Sequence, residues 1–392
     1  MKEARRGREA PVETNTTLEE RETQGASIAD LAPQNVRAIA PYVPGKPIEE
    51  TARELGIAAA DILKMASNEN PVGPSPKAVA AIRGALADLH YYPDGSGFEL
   101  KAILARKLGV AAENLVLGNG SNDVLELVAR AFLTGADSAV YSQHAFLVYP
   151  LVVQAIGARH VEVPAKNFGN DLDALAGAVR ADTKVVFLAN PNNPTGTFEP
   201  WDQVRAFVER IPRRVLVVID EAYGEYLPEA LKSPAPRWIA KHPNLVVSRT
   251  LSKAFGLAGL RVGYGIANPE VAELMNRVRQ PFNVNHLAMV AACAALDDDA
   301  FIAKVHDINA RGLAQLERGF KRLGLEYIPS FANFITVRVG DAARIYAELL
   351  KEGVIVRPIA AYGMPEHLRV TVGLPEHNER FLAALSRALG KR

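Results

Sequence analysis

The fold class of this chain is decided by the segment TLSKAFGLAGLR, which occupies residues 250–261. One lysine in it, Lys253, is surrounded by small and apolar residues rather than by charged ones. Burial removes the solvation of an ammonium group and lowers its pKa, so the neutral amine can form a Schiff base with an aldehyde. Most lysines are instead solvated surface charges, but these apolar neighbours favour burial of Lys253.

Groups that suit a phosphate flank this lysine. Thr250 and Ser252 offer short hydroxyl donors and Arg261 offers a fixed cation, a combination that favours phosphate binding. Arg261 could equally form an ordinary ion pair. An aldehyde-reactive lysine beside phosphate donors predicts the cofactor pyridoxal 5′-phosphate (PLP). Proteins hold PLP through a lysine Schiff base and a partner for its pyridinium nitrogen.

Short apolar runs upstream of this segment predict a mostly parallel sheet. The runs are residues 185–188, 215–219 and 245–248. They are compact, as expected for strands covered on both faces, and helical stretches alternate with them. Ligands of such sheets bind beyond the carboxyl ends of the strands. Asn193, Asp220 and Lys253 each follow one of these runs, so we expect them to meet at one edge of the sheet.

The polar residues after these runs each have a functional and an ordinary interpretation. Asp220 could pair with a protonated pyridine nitrogen, or it could cap a helix or form a structural ion pair. Tyr223 could bond the phenolic oxygen of the cofactor, or it could simply pack. Asn193 could present its amide to a ligand, although an Asn/Pro/Gly turn needs no ligand. The residues alone leave these alternatives open.

Two further features favour anionic ligands. The turn GNGSN, residues 118–122, joins a predicted strand to a helix predicted from Asp123 to Leu133. A helix N-terminus binds anions, although an ordinary glycine turn is the alternative. Arg357 and Arg369 lie in strand-like runs, and a guanidinium there could bind a carboxylate or phosphate with two hydrogen bonds. Ordinary salt bridges explain either arginine equally well.

The bulk composition gives no reason to expect a nucleic-acid or membrane partner. The chain has 392 residues, enough for two domains, and a formal net charge of +1 at pH 7. Its longest apolar run, residues 287–296, is too short to span a bilayer. Cys293 is the only cysteine, so no intrachain disulfide can form and the cytoplasm is the expected compartment. The scattered histidines lack metal-ligand spacing, so we expect no metal.

Taken together, three segments resemble the PLP-dependent aminotransferases of fold type I, the aspartate aminotransferase fold. The segments are residues 190–196, 220–223 and 252–261, in that order. The resemblance covers nearly all of the chain after about residue 30 and implies an α/β fold. Its large domain would hold a mostly parallel, seven-stranded-type sheet between helices, and a smaller α+β domain would follow at the C-terminus.

The resemblance and the composition predict four divisions of the chain. The first 27 residues mix basic and acidic side chains without an apolar core, which predicts a disordered tail rather than a secretory signal or transit peptide. The N-terminal arm with part of the small domain, the large PLP-binding domain and the small C-terminal domain would then be residues 28–75, 76–285 and 286–392.

The resemblance also implies a role for each candidate site residue. Lys253 would hold PLP and shuttle a proton, and Asp220 would pair with the pyridine nitrogen. Tyr223 would bond the phenolic oxygen together with Asn193. Further cofactor contacts are implied for Ser121, Asn122, Phe146, Thr250, Ser252, Arg261 and, from a partner subunit, Tyr92. The implied substrate-side residues are Tyr42, Asn333, Arg357 and Arg369. Arg369 would anchor the anionic end of each substrate, and the role of Tyr92 implies a homodimer with shared sites.

Additional segments narrow the resemblance to the branch of this family that acts in histidine biosynthesis. They are PYVPGKP at 41–47, ARELG at 52–56, SNENP at 67–71 and YPDG at 92–95. The implied reaction transfers the amino group of L-histidinol phosphate to 2-oxoglutarate, giving imidazole-acetol phosphate and glutamate.

Three alternatives remain beside this reaction. An aromatic amino-acid aminotransferase and a PLP-dependent threonine-phosphate decarboxylase share the fold and its core motifs. A PLP-binding regulator without catalysis is the alternative from another class. Such a regulator usually carries a DNA-binding module, and the segment before residue 28 is too short and too polar for one.

Overall fold

The computed structural model of the chain describes residues 27–391, so the predicted tail lies outside the described residues apart from Ser27. The described strands are β1 Leu63–Lys64, β2 Leu115–Gly118, β3 Ser138–Ser142, β4 Arg159–Val163, β5 Thr183–Ala189, β6 Leu216–Asp220, β7 Leu245–Thr250, β8 Gly263–Ala267, β9 Tyr327–Ile328, β10 Phe334–Arg338, β11 Val354–Ile355, β12 Arg357–Ile359 and β13 Met364–Thr371.

The described α-helices are α1 Gln34–Arg37, α2 Ile48–Leu55, α3 Pro76–Ala85, α4 Phe98–Leu108, α5 Ser121–Phe132, α6 Val148–Ile156, α7 Leu172–Gly177, α8 Trp201–Arg210, α9 Ala235–Trp238, α10 Pro269–Val278, α11 His286–Leu296, α12 Asp299–Arg322, α13 Ala342–Lys351 and α14 Pro375–Ala388. Within the described part of the chain, none of them combines the length and the apolar character needed to cross a bilayer.

The large sheet has seven strands in the order β2-β8-β7-β6-β5-β3-β4. Its strands β3 to β7 pair in parallel, and β8 is antiparallel to both of its neighbours. The predicted α/β fold with a mostly parallel sheet is confirmed. The sequence does not predict β8, because Gly263 and Gly265 are poor strand formers. Gly263 is needed there, since a Cβ on it would lie 2.6 Å from the backbone nitrogen of Ser121.

Apolar residues cover both faces of the large sheet. Every residue of β6 is buried, including the terminal Asp220. One face packs against a core that contains Leu104 of α4 and Phe207 of α8. The other face packs against a core that contains Leu125 of α5 and Val153 of α6. Because closely packed layers hold the strands on both sides, the residues at the strand ends have a rigid support.

A second sheet forms near the C-terminus and is antiparallel, with the strand order β12-β13-β10-β9. Leu349 of α13 and Phe381 of α14 share an apolar core with Val337 of β10. The short strand β1 pairs in parallel with β11, where Leu63 lies opposite Val354. The N-terminal arm is therefore attached to the C-terminal part of the chain.

The position of α11 bears on the division into domains. The predicted boundary falls between residues 285 and 286, just before this helix. Ala288 and Leu296 of α11, however, belong to the apolar core of the large sheet. Leu316 of the next helix, α12, packs instead in the core of the small sheet. We therefore propose that the large domain continues to the end of α11.

The register of the central strands brings their carboxyl ends together. Ala189 at the end of β5 lies opposite Asp220 at the end of β6, and Asp220 lies opposite Ser248 of β7. The loops that follow β5 and β7 carry Asn193 and Lys253. The polar residues at or just after the ends of these three strands therefore lie at one edge of the sheet.

Candidate active site

A pocket of about 210 Å³ lies at this edge, between the large sheet and residues of the arm and the small sheet. The structure brings to its wall all but two of the predicted site residues: Tyr42, Ser121, Asn122, Phe146, Asn193, Asp220, Tyr223, Thr250, Ser252, Lys253, Arg261, Arg357 and Arg369. The two that it does not place there are Tyr92 and Asn333.

Lys253 follows β7 and directs its amine toward the N-terminal arm. Its Nζ donates a hydrogen bond of 3.1 Å to the backbone carbonyl of Ser67. Burial and, to a smaller extent, the positive charge of Arg369 together lower the pKa of Lys253 to about 8, although Glu69 opposes the change. A substantial fraction of the amine is therefore neutral just above physiological pH, as a nucleophile requires.

Asp220 ends β6 and is 5% exposed. The Tyr149 hydroxyl donates a 3.0 Å hydrogen bond to its Oδ2, whereas its Oδ1 is buried without a hydrogen-bond partner among residues 27–391. Burial raises the pKa of Asp220 to about 6, and the hydrogen bond from Tyr149 opposes that rise. A buried acceptor without a donor is costly, so the carboxylate is set up for a cationic donor in the pocket.

Tyr223 and Asn193 both line the pocket, and each is held by a hydrogen bond from a neighbouring side chain. The Tyr223 oxygen accepts a 2.8 Å hydrogen bond from Nδ2 of Asn68. Burial raises the pKa of Tyr223 to about 12, so the phenol keeps its proton and can donate it. The Oδ1 of Asn193 accepts a 2.5 Å hydrogen bond from Nη1 of Arg369, which leaves the amide nitrogen of Asn193 as its donor.

The end of the pocket near Arg261 suits a phosphate. Helix α5 begins at Ser121, two residues earlier than predicted, so the N–H groups of Ser121 and Asn122 belong to its first turn. Gly120 precedes it at φ +83°, and a Cβ there would lie 2.5 Å from Nη2 of Arg261. The Nη1 of Arg261 donates to the Ser252 hydroxyl at 3.2 Å. Helix amides, a hydroxyl and a guanidinium therefore converge on one region.

Two more arginines, Arg357 and Arg369, also line the pocket. Arg369, 5% exposed, donates from Nη2 to the backbone carbonyl of Ala66 at 2.7 Å, and its guanidinium lies 5.3 Å from the centroid of the Phe334 ring. Arg357 donates to the backbone carbonyl of Val43 at 2.8 Å and lies 5.6 Å from the centroid of the Tyr42 ring. These contacts hold two fixed cations where an anionic substrate could bind.

The structure places the other two predicted residues outside the pocket wall. Tyr92 is 83% exposed and stacks on Phe282 with 4.8 Å between ring centroids. Asn333 is buried, and its Nδ2 donates a 2.9 Å hydrogen bond to the backbone carbonyl of Asn68. Asn333 is therefore linked to the pocket wall through its hydrogen bond to Asn68.

Sequence reasoning missed two residues with a clear place in the site. Tyr149 lines the pocket and bonds Asp220, but nothing in its spacing after Phe146 distinguishes it from a packed tyrosine. Asn68 lines the pocket as well, and it belongs to the SNENP segment that supported the family resemblance. That segment was a detectable signal, although the sequence does not say what Asn68 contacts.

Comparison with known proteins defines the class. Residues 60–385 match the family model of the class I and II aminotransferases. The chain belongs to this family, which confirms the resemblance predicted from the three motifs.

More specific matches follow from individual relatives. The chain is 60% identical over 361 residues to histidinol-phosphate aminotransferase 1 of Thiobacillus denitrificans, which covers 92% of this chain and 94% of that protein. It is 57% identical over 364 residues to histidinol-phosphate aminotransferase 2 of Nitrosospira multiformis, with 93% of each chain covered. The crystal structure of histidinol-phosphate aminotransferase from Sinorhizobium meliloti in complex with pyridoxal-5′-phosphate matches with a TM-score of 0.84 at 30% identity, covering 91% of this chain and 97% of that one. These relatives confirm the narrower resemblance.

Proposed function

We propose that this chain is a PLP-dependent aminotransferase of histidine biosynthesis, which converts L-histidinol phosphate and 2-oxoglutarate to imidazole-acetol phosphate and glutamate. The observation that carries the proposal is one pocket lined by both Lys253 and Asp220, whose buried Oδ1 has no hydrogen-bond partner among the described residues. The relatives at 60% and 57% identity, named for histidinol phosphate, support the choice of amino donor.

The residues present fit PLP at three points. The buried Oδ1 of Asp220 receives no hydrogen bond from any described residue, and a protonated pyridine nitrogen would supply one. Arg261 and the first-turn N–H groups of Ser121 and Asn122 line the same pocket and would hold the phosphate. The amine of Lys253 would bind the aldehyde carbon.

Bound PLP supplies an electron sink that stabilises negative charge on the substrate carbon bearing the amino group. Asp220 would keep the pyridine nitrogen protonated, because each charge stabilises the other in a buried site. The Nζ of Lys253, with its pKa lowered to about 8 mainly by burial, would accept the proton from that carbon. The same Nζ would return the proton at the cofactor carbon, which is general acid–base catalysis by one amine.

Two more residues would orient the bound groups. Tyr223 has its pKa raised to about 12 by burial, so its hydroxyl would donate to the phenolic oxygen of the cofactor throughout the physiological pH range. Arg369 would anchor the anionic end of each substrate. Its Nε has no partner among the described residues, and its Nη groups hold it rigidly against Asn193 and Ala66.

We also infer a cytoplasmic homodimer. Tyr92 lies away from the pocket of its own chain and is exposed, as are the apolar side chains of Leu86, Leu89 and Phe98. A second copy covering these residues would let Tyr92 reach the phosphate end of the partner's pocket. The cytoplasm is supported by Cys293 being the only cysteine.

A panel of amino donors tests the reaction. The purified protein loaded with PLP is given 2-oxoglutarate with L-histidinol phosphate, phenylalanine or threonine phosphate, and glutamate formation is measured. We expect the highest kcat/KM with L-histidinol phosphate. Preferred turnover of phenylalanine would indicate an aromatic aminotransferase, and carbon dioxide release from threonine phosphate would indicate a decarboxylase. Lys253→Ala should abolish turnover in every case, and normal turnover by that variant without an added small amine would contradict the assignment.

A further inference from the structure

Asn68 occupies an unusual position for a polar residue. It is 1% exposed and lies between β1 and the start of α3. Its backbone adopts φ +56°, a left-handed conformation that asparagine tolerates better than most residues. Residues held in this conformation and fully buried are fixed by their surroundings. The residues that contact Asn68 come both from the part of the chain that forms the large sheet and from the part that forms the small sheet.

The small sheet fixes the orientation of the Asn68 amide. The Thr371 hydroxyl accepts a 2.9 Å hydrogen bond from the backbone N–H of Asn68, and it donates a 3.2 Å hydrogen bond to Oδ1 of the same residue. A second contact fixes the backbone, since Nδ2 of Asn333 donates to the carbonyl of Asn68 at 2.9 Å. With Oδ1 facing Thr371, the Nδ2 of Asn68 must face the other way.

The Nδ2 of Asn68 lies 2.8 Å from the Tyr223 oxygen. An amide nitrogen can only donate, so the Tyr223 oxygen is the acceptor in this bond. The hydroxyl proton of Tyr223 must then point in another direction. Among the described residues, no hydrogen bond takes that proton, and Tyr223 lines the pocket. The proton is therefore free for an acceptor inside the pocket.

We propose that Asn68 is a positioning residue that aims the hydroxyl proton of Tyr223 into the pocket, and that Thr371 and Asn333 act on the site through Asn68. This inference rests on the proposed cofactor role of Tyr223. It assigns Asn333 to the support of Asn68 rather than to contact with substrate. It also ties the donor strength of Tyr223 to the docking of the small sheet, because Thr371 ends β13 and Asn333 precedes β10.

The predicted consequence is electrostatic. With the cofactor bound to Lys253, a hydrogen bond from Tyr223 would stabilise negative charge on the phenolic oxygen, which would then attract the proton on the Lys253 nitrogen less strongly. When that bond is weakened, the nitrogen holds its proton to higher pH. The visible absorbance of the loaded enzyme reports this protonation as a function of pH, and the reading does not depend on turnover.

The test compares the pH midpoint of this absorbance change in four loaded proteins. They are wild type, Asn68→Gly, Tyr223→Phe and the double variant. Glycine fits φ +56° without strain, so Asn68→Gly removes the amide and keeps the backbone. We expect Asn68→Gly to raise the midpoint by about one pH unit and Tyr223→Phe to raise it at least as much. The double variant should match Tyr223→Phe alone, since Asn68 acts through Tyr223.

Midpoints that differ from these expectations would contradict different parts of the proposal. An unchanged midpoint in Tyr223→Phe would refute the cofactor role of Tyr223 given under the proposed function. A shift in Tyr223→Phe without one in Asn68→Gly, or shifts that add in the double variant, would overturn the role of Asn68 alone.

Two additional variants separate positioning from a general loosening of the segment. Asn70→Ala removes a buried amide of the same segment that donates to the Ala254 carbonyl and, among the described residues, has no hydrogen bond with Tyr223, and it should leave the midpoint unchanged. Thr371→Val removes the hydroxyl that orients Asn68, and it should raise the midpoint in the same direction by a smaller amount. It also serves as the test if Asn68→Gly fails to fold, and an unchanged midpoint in it would count against the proposal.

Discussion

The hydroxyl of Tyr149 donates to one oxygen of Asp220 at 3.0 Å, and the other oxygen of the same carboxylate is buried without a partner in the part of the chain that the structure describes. Tyr149 is itself fully buried and stacks on Phe187 with 4.8 Å between ring centroids. The phenol therefore cannot swing away. One oxygen of Asp220 is therefore fixed by Tyr149, in a residue that lines the pocket at the end of β6.

Tyr149→Phe should weaken the binding of PLP by roughly tenfold, because the ionised carboxylate loses a charge-assisted hydrogen bond. Fluorescence titration of the cofactor-free protein with PLP measures the dissociation constant. Tyr141→Phe is the matched control, since Tyr141 is buried in the same core but its hydroxyl contacts His160 at 2.9 Å. Equal losses in the two variants would show that packing, and not the contact with Asp220, is responsible.

The raised pKa of Asp220 predicts how the cofactor-free protein responds to pH. Burial raises this pKa from 3.8 to about 6, so the folded protein holds the proton more tightly than the unfolded chain. The contribution of Asp220 to stability is therefore greatest at low pH and is lost as the pH rises from about 4 to about 6. Asp220→Asn lacks this titration.

Urea unfolding of both proteins across this pH range measures the effect. We expect the free energy of unfolding of the wild type to fall relative to Asp220→Asn by about 2 kcal/mol between the two ends of the range. A difference between the proteins that does not change with pH would contradict a raised pKa at Asp220.

Gly120→Ala should weaken PLP binding about tenfold while leaving the binding of pyridoxal, which lacks the phosphate, nearly unchanged. The added Cβ would lie 2.5 Å from Nη2 of Arg261 and would displace the guanidinium. The control is Gly109→Ala. Gly109 also has a positive φ, of +67°, but a Cβ there meets nothing within 4 Å. Equal weakening of PLP and pyridoxal would rule out a specific effect at the phosphate end.

Tyr92→Ala and Lys253→Ala should each be nearly inactive alone and should complement each other when their subunits are mixed and allowed to exchange. A hybrid dimer would contain one complete site, formed by Lys253 of one chain and Tyr92 of the other. With random pairing, the mixture should reach about a quarter of the wild-type activity. Hybrids that are present by mass spectrometry yet remain inactive would show that Tyr92 does not act across the interface.

The sequence predicts the part of the site that depends on the sheet. Asn193, Asp220 and Lys253 follow buried apolar runs, and parallel strands place such residues at one edge whatever the details of packing. The register of Ala189 with Asp220 and of Asp220 with Ser248 produces that edge. The position of these three residues could therefore be predicted from short apolar runs and the polar residues that follow them.

The contacts that orient these residues depend on tertiary structure and could not be predicted in the same way. Asn68 and Thr371 are separated by 303 positions in the chain, and no local pattern records their pairing. In the sequence, Tyr149 cannot be distinguished from a tyrosine that merely packs in the core. Its role depends on the hydrogen bond to Asp220, which only the folded structure shows. Strand β8 was missed because its glycines, which weaken local strand propensity, are required by the close approach of α5 to Gly263.

The pairing of the N-terminal arm with the last strands has a consequence for biosynthesis of the protein itself. The pocket wall includes Tyr42 and Asn68 from early in the chain and Arg357 and Arg369 from near its end. A nascent chain emerging from the ribosome can assemble most of the large sheet long before β13 is translated. The cofactor can therefore be captured in its final geometry only after β13 has been translated, when it and the N-terminal arm meet at the pocket wall.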